Sequence, residues 1–145
     1  MGTVIETAQD IDNLMEYTGP EVGLLLDTGH LTYSGADPVA VATRWAHRIN
    51  HVHTKDIRAD VLADVKNRKT SFLDAVLSGV FTVPGDGCVN YPALFDVLNK
   101  VSYEGWLVVE AEQDPAVAHP MTYATMGYKN LQQLAQEAGL LDCNK

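Results

Sequence analysis

The sequence predicts an α/β fold in which parallel strands alternate with helices. Residues 22–27 form a continuous apolar run, which is typical of a strand covered on both faces. Two further strands are predicted at 49–56 and 106–112, and amphipathic segments lie between all three. Strands that alternate with helices indicate a parallel sheet with right-handed crossovers.

The helices are predicted from their end signals. Thr7 and Asp10 form a capping pattern at the start of the first helix, and Asp37 followed by Pro38 starts the second. Gly139 ends the last predicted helix. The predicted helices cover residues 8–17, 38–48, 92–101 and 120–138.

The remaining segments are less regular. Residues 57–82 form a loosely patterned insertion that could hold a short helix at 71–80, and a loop covers 83–90. We expect a strand remnant at 2–5. Trp45 and Trp106 are expected in the core.

Composition limits the class of protein. The chain has 145 residues, 46% apolar and 20% charged, which suits one globular domain over 1–145. The formal charge of −9 argues against a nucleic-acid partner. No apolar stretch approaches the roughly 18 residues that span a bilayer, so we expect no membrane partner. Cys88 and Cys143 show no metal-knuckle spacing, and we expect reduced thiols in a cytoplasmic protein.

Charged and imidazole side chains stand where the predicted strands end. Asp27 ends the first strand, His53 and Lys55 lie on one face of the second, and Glu110 shares a face with Glu112 on the third. Because the carboxyl ends of parallel strands meet at one edge, these groups should converge. One imidazole with several carboxylates suits Mn²⁺, Mg²⁺ or Co²⁺ better than a structural zinc ion.

Each of these residues also has a simpler interpretation. Asp27 could be only a strand-end turn residue, and Glu112 only an exposed loop carboxylate. Lys55 and Asp56 could pair on a solvated loop. The position of Glu110 is harder to explain without a bound metal ion, because a carboxylate in a buried strand needs a cation or a buried Arg or Lys partner.

The motifs DTGH at 27–30, HVHTKD at 51–56, PGDG at 84–87 and GWLVVEAEQDP at 105–115 resemble the xylose isomerase-like superfamily of sugar isomerases and epimerases. Within it, the combination of MGT…DIDNLM, LLLDTGHLTYSGADP and VVEAEQDP resembles the inosose dehydratases of myo-inositol catabolism. The resemblance implies the C-terminal half of a (β/α)₈ TIM barrel. In the family, further strands precede a segment like MGTVIET. We therefore expect either part of a longer protein or a barrel built from two copies.

The resemblance also implies roles for particular residues. Asp27, His53 and Glu110 would bind a divalent metal, Mn²⁺ or Co²⁺ with Mg²⁺ as an alternative. The family takes another ligand from the preceding strand, and Glu6 lies past that strand's end. The remaining roles are substrate binding by His30, Lys55 and Arg58, and catalysis by His30, Lys55 and Glu112.

The implied activity is the removal of water from scyllo-inosose (2-keto-myo-inositol), a small polyol ketone. A ketose isomerase or epimerase, such as hydroxypyruvate isomerase, is the alternative enzyme, because the same metal chemistry serves proton transfer. A non-catalytic, truncated half-barrel is the alternative of another class. Its open strand edges would favour association into homo-oligomers.

Overall fold

Five strands and seven α-helices build the part of the chain that the computed structural model describes, residues 3–141. The predictions for Gly2 and Cys143 fall outside this range. The strands are β1 (Leu24–Asp27), β2 (Ile49–His53), β3 (Asp56–Ile57), β4 (Phe81–Thr82) and β5 (Trp106–Val108). The helices are α1 (Ala8–Tyr17), α2 (Thr28–Ser34), α3 (Pro38–Trp45), α4 (Ala59–Arg68), α5 (Phe72–Leu77), α6 (Tyr91–Lys100) and α7 (Pro120–Glu137), and a 3₁₀ turn at Ala46–Arg48 precedes β2.

The main sheet is parallel, as predicted, with the strand order β1-β2-β5. Its register aligns Asp27 with His53 and His53 with Val108, so the strands end at one edge. Within residues 3–141 these three strands do not close into a barrel.

One face of this sheet is covered by helices. Leu26 on β1 and Val52 on β2 are buried in a core that includes Phe95 and Leu98 of α6. The opposite face is open. Leu25 is 48% exposed and Trp106 is 73% exposed, and the register aligns both with His51. The prediction that Trp106 lies in the core is therefore wrong, because its side chain projects from the uncovered face.

The predicted end signals at Thr7, Asp37 and Gly139 are confirmed, but α3 ends at Trp45 rather than at residue 48, because a 3₁₀ turn follows. Thr7 and Asp10 form a reciprocal capping box at α1, and Asp37 caps α3 ahead of Pro38. After α7, Gly139 adopts a φ of 73°, a conformation that favours glycine.

The third strand is shorter than predicted, ending at Val108 rather than Glu112. Thr54 still donates its backbone N–H to the Val108 carbonyl at 2.8 Å, but the chain then leaves the sheet to form β3. Without that neighbour, residues 109–112 lie outside the described ladders. The strand remnant expected at 2–5 is not a strand at residues 3–5.

The insertion is more ordered than its sequence indicates. The short helix predicted at 71–80 is confirmed as α5, but α4 was not predicted, nor was α2, which lies outside the insertion and follows β1. The β3 and β4 strands form an antiparallel ribbon that pairs Ile57 with Phe81, which departs from the purely parallel prediction. These elements share a second buried cluster, which includes Val65, Ala75 and Val80.

Two features concern the cysteine thiols and membrane-spanning helices. Cys88 is exposed and forms no disulfide. Among the described residues, no helix has both the length and the apolar character needed to cross a bilayer.

Candidate active site

The site begins at Asp27, where β1 passes directly into α2. Its Oδ1 accepts a hydrogen bond from the backbone N–H of His30 at 2.8 Å, which caps the helix and fixes the carboxylate at the sheet edge. Burial raises the pKa of Asp27, but the hydrogen bonds from His30 and the charge of Lys55 outweigh it. The resulting pKa lies below the ordinary value for this side chain, so the carboxylate is charged at neutral pH.

His53 and Glu110 face Asp27 across the same edge. The Nδ1 atom of His53 lies 3.0 Å from Oε2 of Glu110 and 3.6 Å from Oδ2 of Asp27. One donor atom from each of the three residues lies within 4.8 Å of the other two. The structure thus brings together the three residues that the sequence proposed as metal ligands.

One oxygen of Glu110 has no hydrogen bond. Its Oε2 atom is buried, and although His53 and Lys55 come within 3.0 and 3.2 Å, neither contact has hydrogen-bond geometry. The Glu110 side chain as a whole is 36% exposed, so its desolvation is smaller than a buried strand position would impose. A buried acceptor that lacks a donor is costly, and a bound cation would satisfy it.

Lys55 is fully buried at the centre of the carboxylates. Its Nζ lies 2.7 Å from Glu112, 3.2 Å from Glu110 and 3.7 Å from Asp27. This arrangement excludes the solvated-loop interpretation of Lys55. It also provides the buried cation that could accompany Glu110 without a metal. One ammonium group against three carboxylates nevertheless leaves an excess of carboxylates in the cluster.

The start of α2 holds Lys55 in place. Thr28 donates its hydroxyl to the Lys55 carbonyl at 2.6 Å. Gly29 packs against the aliphatic part of the lysine side chain, and a Cβ atom there would lie only 2.6 Å from Cγ of Lys55. A glycine at this position lets the helix approach the buried lysine.

His30 and Glu112 complete the cluster. The Nδ1 atom of His30 lies 2.9 Å from Asp27, and its Nε2 lies 3.0 Å from Glu112. The Nζ of Lys55 lies 3.5 Å from both ring nitrogens. His30, Lys55 and Glu112, the three predicted catalytic residues, therefore form one polar network that also includes Asp27.

Arg58 lies outside this cluster. It donates to the Gly79 carbonyl at 2.6 Å, to the Thr82 hydroxyl at 3.0 Å and to Asp86 at 2.6 Å, and it reaches Tyr123 at 3.4 Å. These bonds join the insertion to α7. The described contacts do not bring Arg58 to the groups around Lys55, and substrate binding by Arg58 stays a prediction.

Asp56 has a structural role, because its carboxylate binds backbone N–H groups of the neighbouring loop. It is buried and accepts backbone N–H groups from Ile57, Val89 and Gly85 at 2.8, 3.0 and 3.2 Å. Burial raises the pKa of Asp56 above its ordinary value, although these hydrogen bonds act in the opposite direction. The residue thereby organises the loop at 84–87.

Sequence reasoning missed one residue at the site. The Phe81 ring lies 5.1 Å from Nζ of Lys55 and 5.2 Å from the His30 ring, and it is fully buried. Its only sequence signal is its place in the 57–82 insertion. Which loop residue returns to the site depends on the β3–β4 pairing, which the sequence pattern does not show.

Comparison with known proteins decides the family. The model of the xylose isomerase-like TIM barrel family matches residues 1–140. The chain belongs to this family. Its parallel strands and their helices are consistent with part of such a barrel, in agreement with the predicted fold class.

Several relatives carry more specific names. The rhizopine catabolism protein MocC of Rhizobium meliloti is 57% identical over 96% of this chain and 43% of its own length. Inosose dehydratases of Clostridium beijerinckii and Geobacillus kaustophilus are 53% and 54% identical over 92% of this chain. The alignments cover 45% and 44% of those enzymes. The chain thus spans less than half the length of these relatives.

A solved structure is also similar. The crystal structure of the probable 3-DHS dehydratase AsbF, involved in petrobactin synthesis, from Bacillus anthracis superposes with a TM-score of 0.52 and 25% identity. The match covers 73% of this chain and 39% of that one.

Proposed function

We propose that the chain carries the metal-binding part of a hydro-lyase that removes water from scyllo-inosose. The observation that carries this proposal is the convergence of donor atoms from Asp27, His53 and Glu110 within 4.8 Å of one another. The names of the similar proteins, inosose dehydratase and 3-DHS dehydratase, support dehydration as the reaction class.

The donor set fits a divalent ion. Two carboxylates and one imidazole are ligands for Mn²⁺ or Co²⁺, with Mg²⁺ as the alternative. The excess of carboxylates around Lys55 and the buried Oε2 of Glu110 both favour a cation at this point. When bound, the ion would polarise a ketone or hydroxyl oxygen and acidify the neighbouring C–H bond.

The chain's own residues would hold and move the protons. Dehydration requires a base for the proton beside the ketone and an acid for the departing hydroxyl group. Glu112 lies 3.0 Å from Nε2 of His30 and 2.7 Å from Nζ of Lys55, so the three share protons through direct contacts. A change in any one of them alters the other two.

The charge arrangement favours a neutral substrate. Among residues 3–141, Lys55 is already matched by three carboxylates, and Arg58 is matched by Asp86 at 2.6 Å. A substrate carboxylate would find neither of these two cations unmatched. A polyol ketone needs only hydrogen-bond partners, and the cluster offers several.

We also propose that residues 1–145 form one part of a single barrel domain. The open sheet face exposes Leu25 and Trp106, and apolar grooves of about 390 and 520 Å³ flank β1 and β5. Such surfaces at both free edges are what further strands and helices of a barrel would cover.

The experiment uses the protein expressed from its own gene. With Mn²⁺ or Co²⁺ and scyllo-inosose, we expect the absorbing diketone product. Asp27→Asn should abolish the reaction, because asparagine keeps the helix cap but removes the charge. Asp37→Asn makes the same change at the exposed cap of α3 and should leave turnover intact. An isomerised product without the diketone would support the isomerase alternative, and neither turnover nor metal binding would support the non-catalytic half-barrel.

A further inference from the structure

The Phe81 ring contacts two of the three residues proposed to carry protons. Nζ of Lys55 lies 5.1 Å from the ring centre, and the His30 ring meets it at 5.2 Å with an interplanar angle of 67°. We infer that Phe81 is a positioning residue, which holds the Lys55 ammonium group against the carboxylates and fixes the His30 ring. Any effect of Phe81 on catalysis rests on the proposed function, whereas its positioning of Lys55 does not.

The Lys55 ammonium group has two kinds of neighbour, carboxylates and an aromatic ring. The carboxylates of Glu112, Glu110 and Asp27 lie at 2.7, 3.2 and 3.7 Å from Nζ, and the Phe81 ring supplies an aromatic contact. The face of an aromatic ring carries negative charge density, so it attracts an ammonium group without offering it a hydrogen bond. The N–H groups of Lys55 therefore stay directed to carboxylates.

The fold delivers Phe81 to this position through the ribbon. Lys55 directly precedes β3, and Phe81 on β4 pairs with Ile57 of β3. The next residue, Arg58, donates its backbone N–H to the Val80 carbonyl at 2.9 Å. The ring is thus tied by backbone hydrogen bonds to the segment that carries the lysine.

Two neighbouring rings, one from α2 and one from the insertion, keep Phe81 from turning away. Tyr33 lies 5.6 Å and Phe72 6.0 Å from it, measured between ring centres, and all three belong to or pack against the second buried cluster. The cluster leaves Phe81 no exposure to solvent. The insertion at 57–82 thereby reaches the site through Phe81, and Phe72 adds a second ring, 6.1 Å from that of His30.

The test measures the side-chain NH₃⁺ group of Lys55 by ¹⁵N NMR in the full chain without metal, with Lys55→Met identifying its signal. In Phe81→Leu we expect the Lys55 signal to change its chemical shift and the protons of its NH₃⁺ group to exchange with water at least tenfold faster. Phe81→Tyr should restore both the chemical shift and the exchange rate. Phe95→Leu is the matched control. It removes an equally buried ring from the main core and should leave the Lys55 signal unchanged.

Fluorination gives a second route if Phe81→Leu does not fold. Successive fluorine atoms at residue 81 keep the ring's shape and weaken its attraction for a cation, so exchange should accelerate with each step. An unchanged Lys55 signal in Phe81→Leu or across the fluorinated series would overturn the inference. Dehydratase turnover, measured in parallel, separates the two claims. If the unmodified protein shows no dehydratase turnover, the proposed function fails. A shift of the Lys55 signal in Phe81→Leu would still support the positioning role of Phe81.

Discussion

Replacement of Glu110 by glutamine removes one charge from the proposed metal site and changes its shape little. At a contact distance of about 2.2 Å, a unit charge and a divalent ion attract each other by about 4 kcal/mol even at the dielectric constant of water. The amide oxygen retains part of this attraction, so we expect a net loss of about 2–3 kcal/mol. Binding of Mn²⁺ or Co²⁺ should therefore weaken by roughly 30- to 150-fold.

The same change should affect folding much less. The Glu110 side chain is 36% exposed, and Lys55 keeps its closest partner, Glu112, at 2.7 Å. Partly exposed ion pairs contribute little to stability, so we expect the free energy of unfolding to change by about 1 kcal/mol or less. The ratio of the two effects distinguishes a metal ligand from a residue that only neutralises Lys55.

Calorimetric titration with MnCl₂ measures the affinity, and urea denaturation without metal measures the stability. Glu104→Gln is the control, because it makes the same chemical change at an exposed position on the approach to β5. Equal Mn²⁺ affinity in Glu110→Gln, Glu104→Gln and the parent chain would refute the assignment of Glu110. So would a loss of stability that exceeds the loss of metal affinity.

Three further changes test the surrounding structure. Gly29→Ala would place a Cβ atom 2.6 Å from Cγ of Lys55, and we expect a loss of about 1–3 kcal/mol in urea denaturation; unchanged stability would contradict this close packing. Asp56→Asn would turn an amide N–H₂ toward one of its backbone donors, and it should cost about 1–3 kcal/mol at neutral pH; a neutral effect would show that the buried charge is not required. Trp106→Lys should reduce self-association of the 145-residue chain in sedimentation velocity, because it places a charge on the open sheet face. Tyr17→Lys, at another exposed aromatic residue, should not reduce it, and equal effects of the two changes would exclude the sheet face as the contact.

The position of the site residues was predicted from the sequence more accurately than the structure of the segments around them. Asp27 and His53 end parallel strands, and Glu110 lies just beyond the end of a third, so the strand pattern predicted that they meet at one edge. The choice of these three as metal ligands came from the family resemblance. Helix ends were also predictable, because Thr7, Asp37 and Gly139 act within one turn of chain. Such signals need no knowledge of distant partners.

Features that depend on distant contacts were not predictable. The end of β5 at Val108 follows from the departure of its neighbour after His53, and the position of Phe81 follows from its pairing with Ile57. Trp106 was misplaced because an apolar side chain on a strand can face either side of the sheet. The full burial of Lys55 results from contacts that its own segment does not reveal.

Crystals of the chain soaked in Mn²⁺ would test the central claim most directly, with diffraction recorded at the manganese edge. We predict one strong anomalous peak at the carboxyl edge of the sheet, about 2.0–2.3 Å from donor atoms of Asp27, His53 and Glu110. Glu110→Gln should weaken this peak. The account would be contradicted if the peak were absent at saturating Mn²⁺ or lay on other residues, with Lys55 remaining the sole cation among the carboxylates.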